Sequence, residues 1–116
     1  MPGYPRVMAF DEGLAVRIRD LVDGTPDVSE RRMFGGLAFM LAGNMACGII
    51  GDDLMVRVGP QAWQEALALP HAREMDFTGR SSRGMVYVGP AGTAEDDDLG
   101  TWVDRGVAFA RTLPPK

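Results

Sequence analysis

The sequence predicts an α+β fold, an antiparallel β-sheet flanked by helices in the order α-β-β-β-α-β-α. Three observations carry that expectation. Stretches near residues 11–23 and 93–113 repeat apolar residues at helical spacing. Between them, three apolar runs are separated by short breaks rich in turn formers. Breaks that short join antiparallel neighbours, because a parallel return needs about a dozen residues or more.

Residues 1–8 carry two prolines and a glycine and read as a flexible lead-in to one domain over residues 9–116. Asp11 is placed to cap a first helix. Leu14, Ile18, Leu21 and Val22 form its apolar face, with Arg17, Arg19, Asp20 and Asp23 outside that face. Gly24 and Pro26 stop it. From Val28 the period changes, and Ser29 to Phe34 is compatible with an extended chain ending in Met33-Phe34-Gly35-Gly36. Leu37 to Leu41, Asn44 to Ile50 and Leu54 to Val58 then read as strands, broken at Ala42-Gly43-Asn44 and Gly51-Asp52-Asp53. The middle strands are apolar on both faces, which predicts a central position covered on both sides.

Gly59-Pro60 is expected to open a second helix, with proline at its first position. That helix runs through Trp63, Ala66 and Leu67 and ends at Pro70. Ala72 to Phe77 fits neither period. Gly79 to Gly84 reads as a polar loop and Met85 to Val88 as a strand. Thr93-Ala94-Glu95-Asp96 has the form of a capping box. It would start a last helix with Leu99, Trp102, Val103, Gly106, Ala110 and Leu113 on one face, ended by Pro114-Pro115.

A hydrophobic fraction of 46% against 24% charged residues is that of a globular chain with a real core. The net charge of −4 weighs against DNA, RNA or anionic lipid as direct partners, because those reward a basic face. Cys47 is the single cysteine, which excludes an internal disulfide and a cysteine-rich zinc site. It lies in an apolar run, Met45 to Ile50, and reads as a small buried hydrophobe on a strand. The opening residues lack the apolar core of a secretory signal, and no apolar run reaches the roughly 18 residues of a membrane span. The expected location is the cytoplasm, with no membrane attachment.

Two segments stand out as binding candidates. Gly35-Gly36 before a strand implies a turn or a close backbone approach, with Met33 and Phe34 in the core and a ligand contact through the bare backbone as the rival reading. Gly79-Arg80-Ser81-Ser82-Arg83-Gly84 sits in a stretch with two arginines and no acid. Arg80 and Arg83, with Ser81 and Ser82, are candidates for holding a phosphate or an acidic protein surface. A solvated loop with paired arginines is the alternative, and Arg31, Arg32, Arg57 and Arg73 are the residues that would extend such a patch.

Glu95 to Asp98 resembles a metal-binding run, but acids are favoured in a first helical turn and four successive helical residues point in different directions. His71 has no second histidine or cysteine at ligand spacing and no nucleophile beside it. Trp63, Tyr87, Trp102 and Phe109 occupy core-compatible positions. These patterns call for no catalytic residue, metal or cofactor.

Taken in order, the pieces resemble the TfoX (Sxy) N-terminal domain family. The resemblance rests on the helix before Arg31-Arg32-Met33-Phe34-Gly35-Gly36, the hairpin Leu37–Leu41/Asn44–Ile50 and the segment Asp52-Asp53-Leu54-Met55-Val56-Arg57-Val58. Gly79-Arg80 through Gly84-Met85-Val86-Tyr87-Val88 and the closing helix complete it, over residues 10–113. The family's members regulate natural competence as co-activators beside the cyclic-AMP receptor protein, and carry a helical C-terminal domain whose counterpart this sequence does not contain. The resemblance implies a non-enzymatic regulatory or binding module, with a protein of the transcription apparatus as partner. A small-molecule or phosphometabolite sensor is the alternative, and a weak nucleic-acid binder ranks third. A homodimer is compatible with all three.

Overall fold

Six strands form one sheet: Val28–Met33 (β1), Gly36–Leu41 (β2), Asn44–Ile50 (β3), Asp53–Arg57 (β4), Ala72–Phe77 (β5) and Arg80–Val88 (β6). Their order is β1-β2-β3-β4-β6-β5, and every neighbouring pair is antiparallel. The helices are Glu12–Val22 (α1), Trp63–Leu67 (α2) and Asp96–Arg111 (α3). This computed structural model describes residues 10–33, 35–77 and 80–116, without the side chains of residues 76–77 and 80–82. The lead-in expected over residues 1–8 and the core position expected for Phe34 lie outside the described residues.

The expected α+β fold is present; the segment compatible with an extended chain and the one that fits neither period are both strands. They are the two edges, β1 and β5. An edge strand has one neighbour and needs no continuous apolar face. In β1 the residues Ser29, Glu30, Arg31 and Arg32 are all exposed, and the strand is held by its backbone register with β2, from Val28 opposite Leu41 to Met33 opposite Gly36.

Three local readings are corrected. Of the polar loop expected over Gly79 to Gly84, Gly79 lies outside the described residues, and Arg80 to Gly84 are instead the first half of β6, with Arg80 opposite Phe77. Pairing with β5 supplies what the side-chain pattern lacks. Pro60 does not open α2; it lies in a turn, and the helix starts at Trp63 after the cap residue Ala62. Gly59 causes this, because its φ of +86° turns the chain sharply before Pro60. Thr93 does not cap α3 either. Its hydroxyl donates to the carbonyl of Pro90 at 3.3 Å, closing the 3-10 turn Pro90–Gly92, and Glu95 becomes the cap residue. The first cap is as expected, with the Leu14 amide donating to Asp11 Oδ1 at 3.1 Å.

Two cross-strand rows build the core. Leu37, Ile49, Leu54 and Val88 stand side by side across β2, β3, β4 and β6, and Phe39, Cys47, Val56 and Val86 form the next row. Both rows face the helices and join Leu14, Ile18, Leu99, Trp102 and Val103 in one cluster. On the other face Ala38, Met40, Gly48 and Met55 are also buried, and the Met55 methyl occupies the space that a side chain at position 48 would need. The central strands are therefore buried on both faces, as their unbroken apolar pattern requires.

Cys47 is fully buried in its row, and loss of hydration pushes its thiol up to about 12. The folded protein should resist thiol reagents at pH 8 and react quickly in urea; rapid labelling of the native protein would show the row to be open. The sign of the pH effect follows. The ordinary value is 9.0 and the folded one is higher, so burial stabilises the protein fully below about pH 9 and this contribution disappears as pH rises toward 12. A Cys47→Ala variant should lose that alkaline component.

α1 is tied to the edge strand by a two-point ion pair, Arg19 Nε to Glu30 Oε2 at 2.6 Å and Nη2 to Oε1 at 2.8 Å. The hydrogen bonds from Arg19 hold the Glu30 carboxyl below the usual carboxylate range. Among the described residues, no helix is long and apolar enough to cross a membrane.

Candidate binding surface

One corner of the sheet gathers arginines on aromatic platforms. It forms where the chain leaves β4 and meets β6. The amides of Val58 and Gly59 both donate to the carbonyl of Gly84, at 2.8 and 3.1 Å. Gly84 has φ +96° and Gly59 φ +86°, backbone conformations that residues with a Cβ rarely adopt. Gly59 also lies flat against the Phe109 ring, where any side chain would collide. The two glycines thus bring α2, the end of α3 and the middle of β6 together.

Trp63, the first residue of α2, is 7% exposed and donates its indole N–H to the carbonyl of Met85 at 2.9 Å. The Arg83 guanidinium stacks on its ring at 5.7 Å, and Arg57 stacks on Phe109 at 5.5 Å. Neither arginine forms an ion pair among the described residues. Stacking leaves the edge of a guanidinium free, so both forks can still accept a carboxylate or phosphate in two-point fashion.

The other residues expected to extend the patch lie elsewhere. Arg73 pairs with Asp53 at 2.7 Å and stacks on Tyr87, at the opposite end of β6 from Arg83. Arg31 and Arg32 are on β1, the far edge, where Arg32 stacks on Phe10. The backbone of Arg80, Ser81 and Ser82 belongs to β6, and their side chains lie outside the described residues.

Gly35 and Gly36 do what their positions imply. Gly35 turns with φ +75°, and Gly36 begins β2 against the backbone of Ile49, leaving no room for a side chain. They do not share a site with the arginines. Gly36 is on β2 at the end of the sheet that holds Val88, and Arg83 is five residues back along β6. Three strand spacings and five residues separate the two by about 20 Å.

His71 is exposed, with φ +69°. It borders a cleft of about 210 Å³ with Asp98, Thr101, Trp102 and Arg105. That is below the roughly 300 Å³ at which small-molecule pockets begin. Arg105 is already engaged by Glu65 at 2.8 Å. The acids at the start of α3 show no shared focus: Asp96 pairs with Arg17 at 3.0 Å, and no metal-binding group of His, Cys, Asp or Glu forms among the described residues.

Sequence reasoning singled out Arg83 as a candidate but not its aromatic seat. The links Arg83–Trp63 and Arg57–Phe109 join residues 20 and 52 positions apart, which no local pattern encodes. The available signal was the pair of isolated glycines, Gly59 and Gly84, each marking a backbone approach.

A family model described as the TfoX N-terminal domain matches residues 20–110 of the chain. No curated protein and no solved structure matches it.

Proposed function

We propose that this chain, which belongs to the TfoX N-terminal domain family, is a non-enzymatic module that regulates by binding another protein, one of the transcription apparatus. Family membership over most of the chain carries this reading at its general level, that of a regulatory domain. The contact is assigned to the corner around Arg83, with Arg57, Arg80, Ser81 and Ser82 beside it. Support for that choice comes from two stacked guanidinium groups with no carboxylate partner among the described residues, on a chain of net charge −4. An acidic protein surface suits two separate forks better than one small anion does. The chain operates in the cytoplasm on this reading, where the transcription apparatus is.

The test is affinity capture of the tagged chain from lysate of its source organism, at low and high salt, beside an Arg80→Ala/Arg83→Ala variant. Transcription proteins retained by wild type and reduced about tenfold in the variant are the expected result. Two charge-assisted surface contacts of about 0.7 kcal/mol each give a change of that size. Equal retention by both proteins would move the contact away from this corner. Retention of no specific protein at either salt would end the adaptor reading.

A further inference from the structure

α1 and α3 pack side by side, and the seam between them is unlike the rest of the surface. The sequence pattern places Leu21 on the buried face of α1, yet it is 44% exposed; with Val16 at 53% it makes the exposed large hydrophobic pair of the described residues. Leu21 stands between two clefts along the seam, of about 260 and 300 Å³. Leu99 lines the first, and Val103 and Val107 line the second. The result is a trough with an apolar floor, one apolar ridge and charged residues along its sides.

Its rim is acidic. Asp20 and Asp104 line the clefts, and Asp97 adds the same sign in the first turn of α3. None of these three forms an ion pair among the described residues. Arg17, the cation nearest the trough's upper end, is occupied by Asp96 at 3.0 Å and by the carbonyl of Thr93 at 2.8 Å. Arg111 at the end of α3 is the cation left on the wall.

We propose that this seam receives a basic amphipathic helix of a partner protein. The inference rests on the reading of the chain as a protein-binding module and adds a second surface and the chemistry of what it holds. An apolar trough between two helices fits a third helix, read through apolar side chains at i, i+3, i+4 and i+7. The 11 residues of α1 and 16 of α3 are about 16 and 24 Å long, room for roughly three turns. Charge selects among occupants. A second copy presenting the same seam would set an excess of acids against its like, and nucleic acid and anionic lipid meet the same excess of negative charge. Lysines or arginines flanking the partner's apolar stripe meet the rim instead.

The experiment uses the whole chain, ¹⁵N-labelled, and a 14-residue peptide of leucine and lysine with leucines at helical amphipathic spacing. One control peptide alternates the same residues strictly, and another replaces every lysine with glutamate. The expected result is saturable binding of the first peptide, with amide shifts on α1 and α3 that weaken from 50 to 300 mM salt. Leu21→Ala should reduce affinity about tenfold with an unchanged melting temperature, since the side chain is exposed. Asp20→Asn/Asp104→Asn should reduce it and flatten the salt dependence. Ala108→Gln, at an exposed position lining the second cleft, is the second variant, should Leu21→Ala lower stability. Absence of binding, equal binding of the alternating peptide, shifts confined to the sheet, or no effect of both Leu21→Ala and Ala108→Gln would overturn the proposal. The capture experiment separates the two readings: loss of all captured protein ends the adaptor reading while leaving the peptide result intact. Failure of the peptide leaves the Arg83 corner standing.

Discussion

Phe39→Ala should lower the unfolding free energy by about 3–5 kcal/mol. Phe39 is 2% exposed in β2, a central strand, and belongs to the row that includes Cys47, Val56 and Val86. Truncation removes a whole ring from the face on which α1 and α3 pack and leaves a cavity that a paired strand cannot close by moving. Against a typical total of about 5–15 kcal/mol, such a loss threatens folding at ordinary temperature. Urea denaturation followed by tryptophan fluorescence reads it directly, through Trp63 and Trp102. Phe39→Leu, which keeps most of the volume, should cost about 1–2 kcal/mol. A loss below about 1 kcal/mol for the alanine variant would place Phe39 outside the core and undo the row-by-row account.

The second large effect has a sign opposite to that expected from local propensity. Gly106 is inside α3, where glycine costs about 1 kcal/mol relative to alanine, so Gly106→Ala ought to stabilise an isolated helix. Here a Cβ would collide with the carbonyl oxygen of Ala46, backbone that has no rotamer with which to yield. The helix must lift from β3, and the expected net loss is about 1–3 kcal/mol. Gly100, six residues earlier in the same helix, is the control. Its Cβ would meet only the Leu21 side chain at 3.7 Å, an ordinary contact, so Gly100→Ala should gain up to about 1 kcal/mol. Opposite signs at two glycines of one helix are measurable by thermal melts run side by side. Stabilisation by both changes would mean that α3 does not approach β3 as closely as described.

Much of the fold was legible because the residues that build its centre announce themselves. Leu37 to Leu41, Asn44 to Ile50 and Leu54 to Val58 are apolar runs with turn formers between them, and the structure joins them as β2, β3 and β4. The helices α1 and α3 followed from apolar spacing, with Asp11 as a working cap. At the edges the same reasoning had little to read. Ser29 to Arg32 point polar side chains outward on both faces, and their strand exists because Leu37 to Leu41 offer backbone partners. Arg80 to Gly84 resembled a loop for the same reason; β5 pairs with Arg80 and Ser81, and the Gly84 carbonyl accepts from the amides of Val58 and Gly59.

The candidate surface divides in the same way. That Arg83 lies in an acid-poor stretch is visible in the sequence, and so is the family to which the chain belongs, on motifs spread along it. Its seat on Trp63 is not, nor is the distance of about 20 Å that separates it from Gly36. Leu21 is the converse case, assigned to a buried face by spacing and left 44% exposed where it stands beside Gly100 of α3. Periodicity and turn chemistry act over a few residues, so the sequence alone determined which segments are helix and central strand, the antiparallel order and the family. Edge pairing, the aromatic seats of the arginines and the open helix seam depend on which residues distant in the chain come within a few ångströms, and only the tertiary structure decided those.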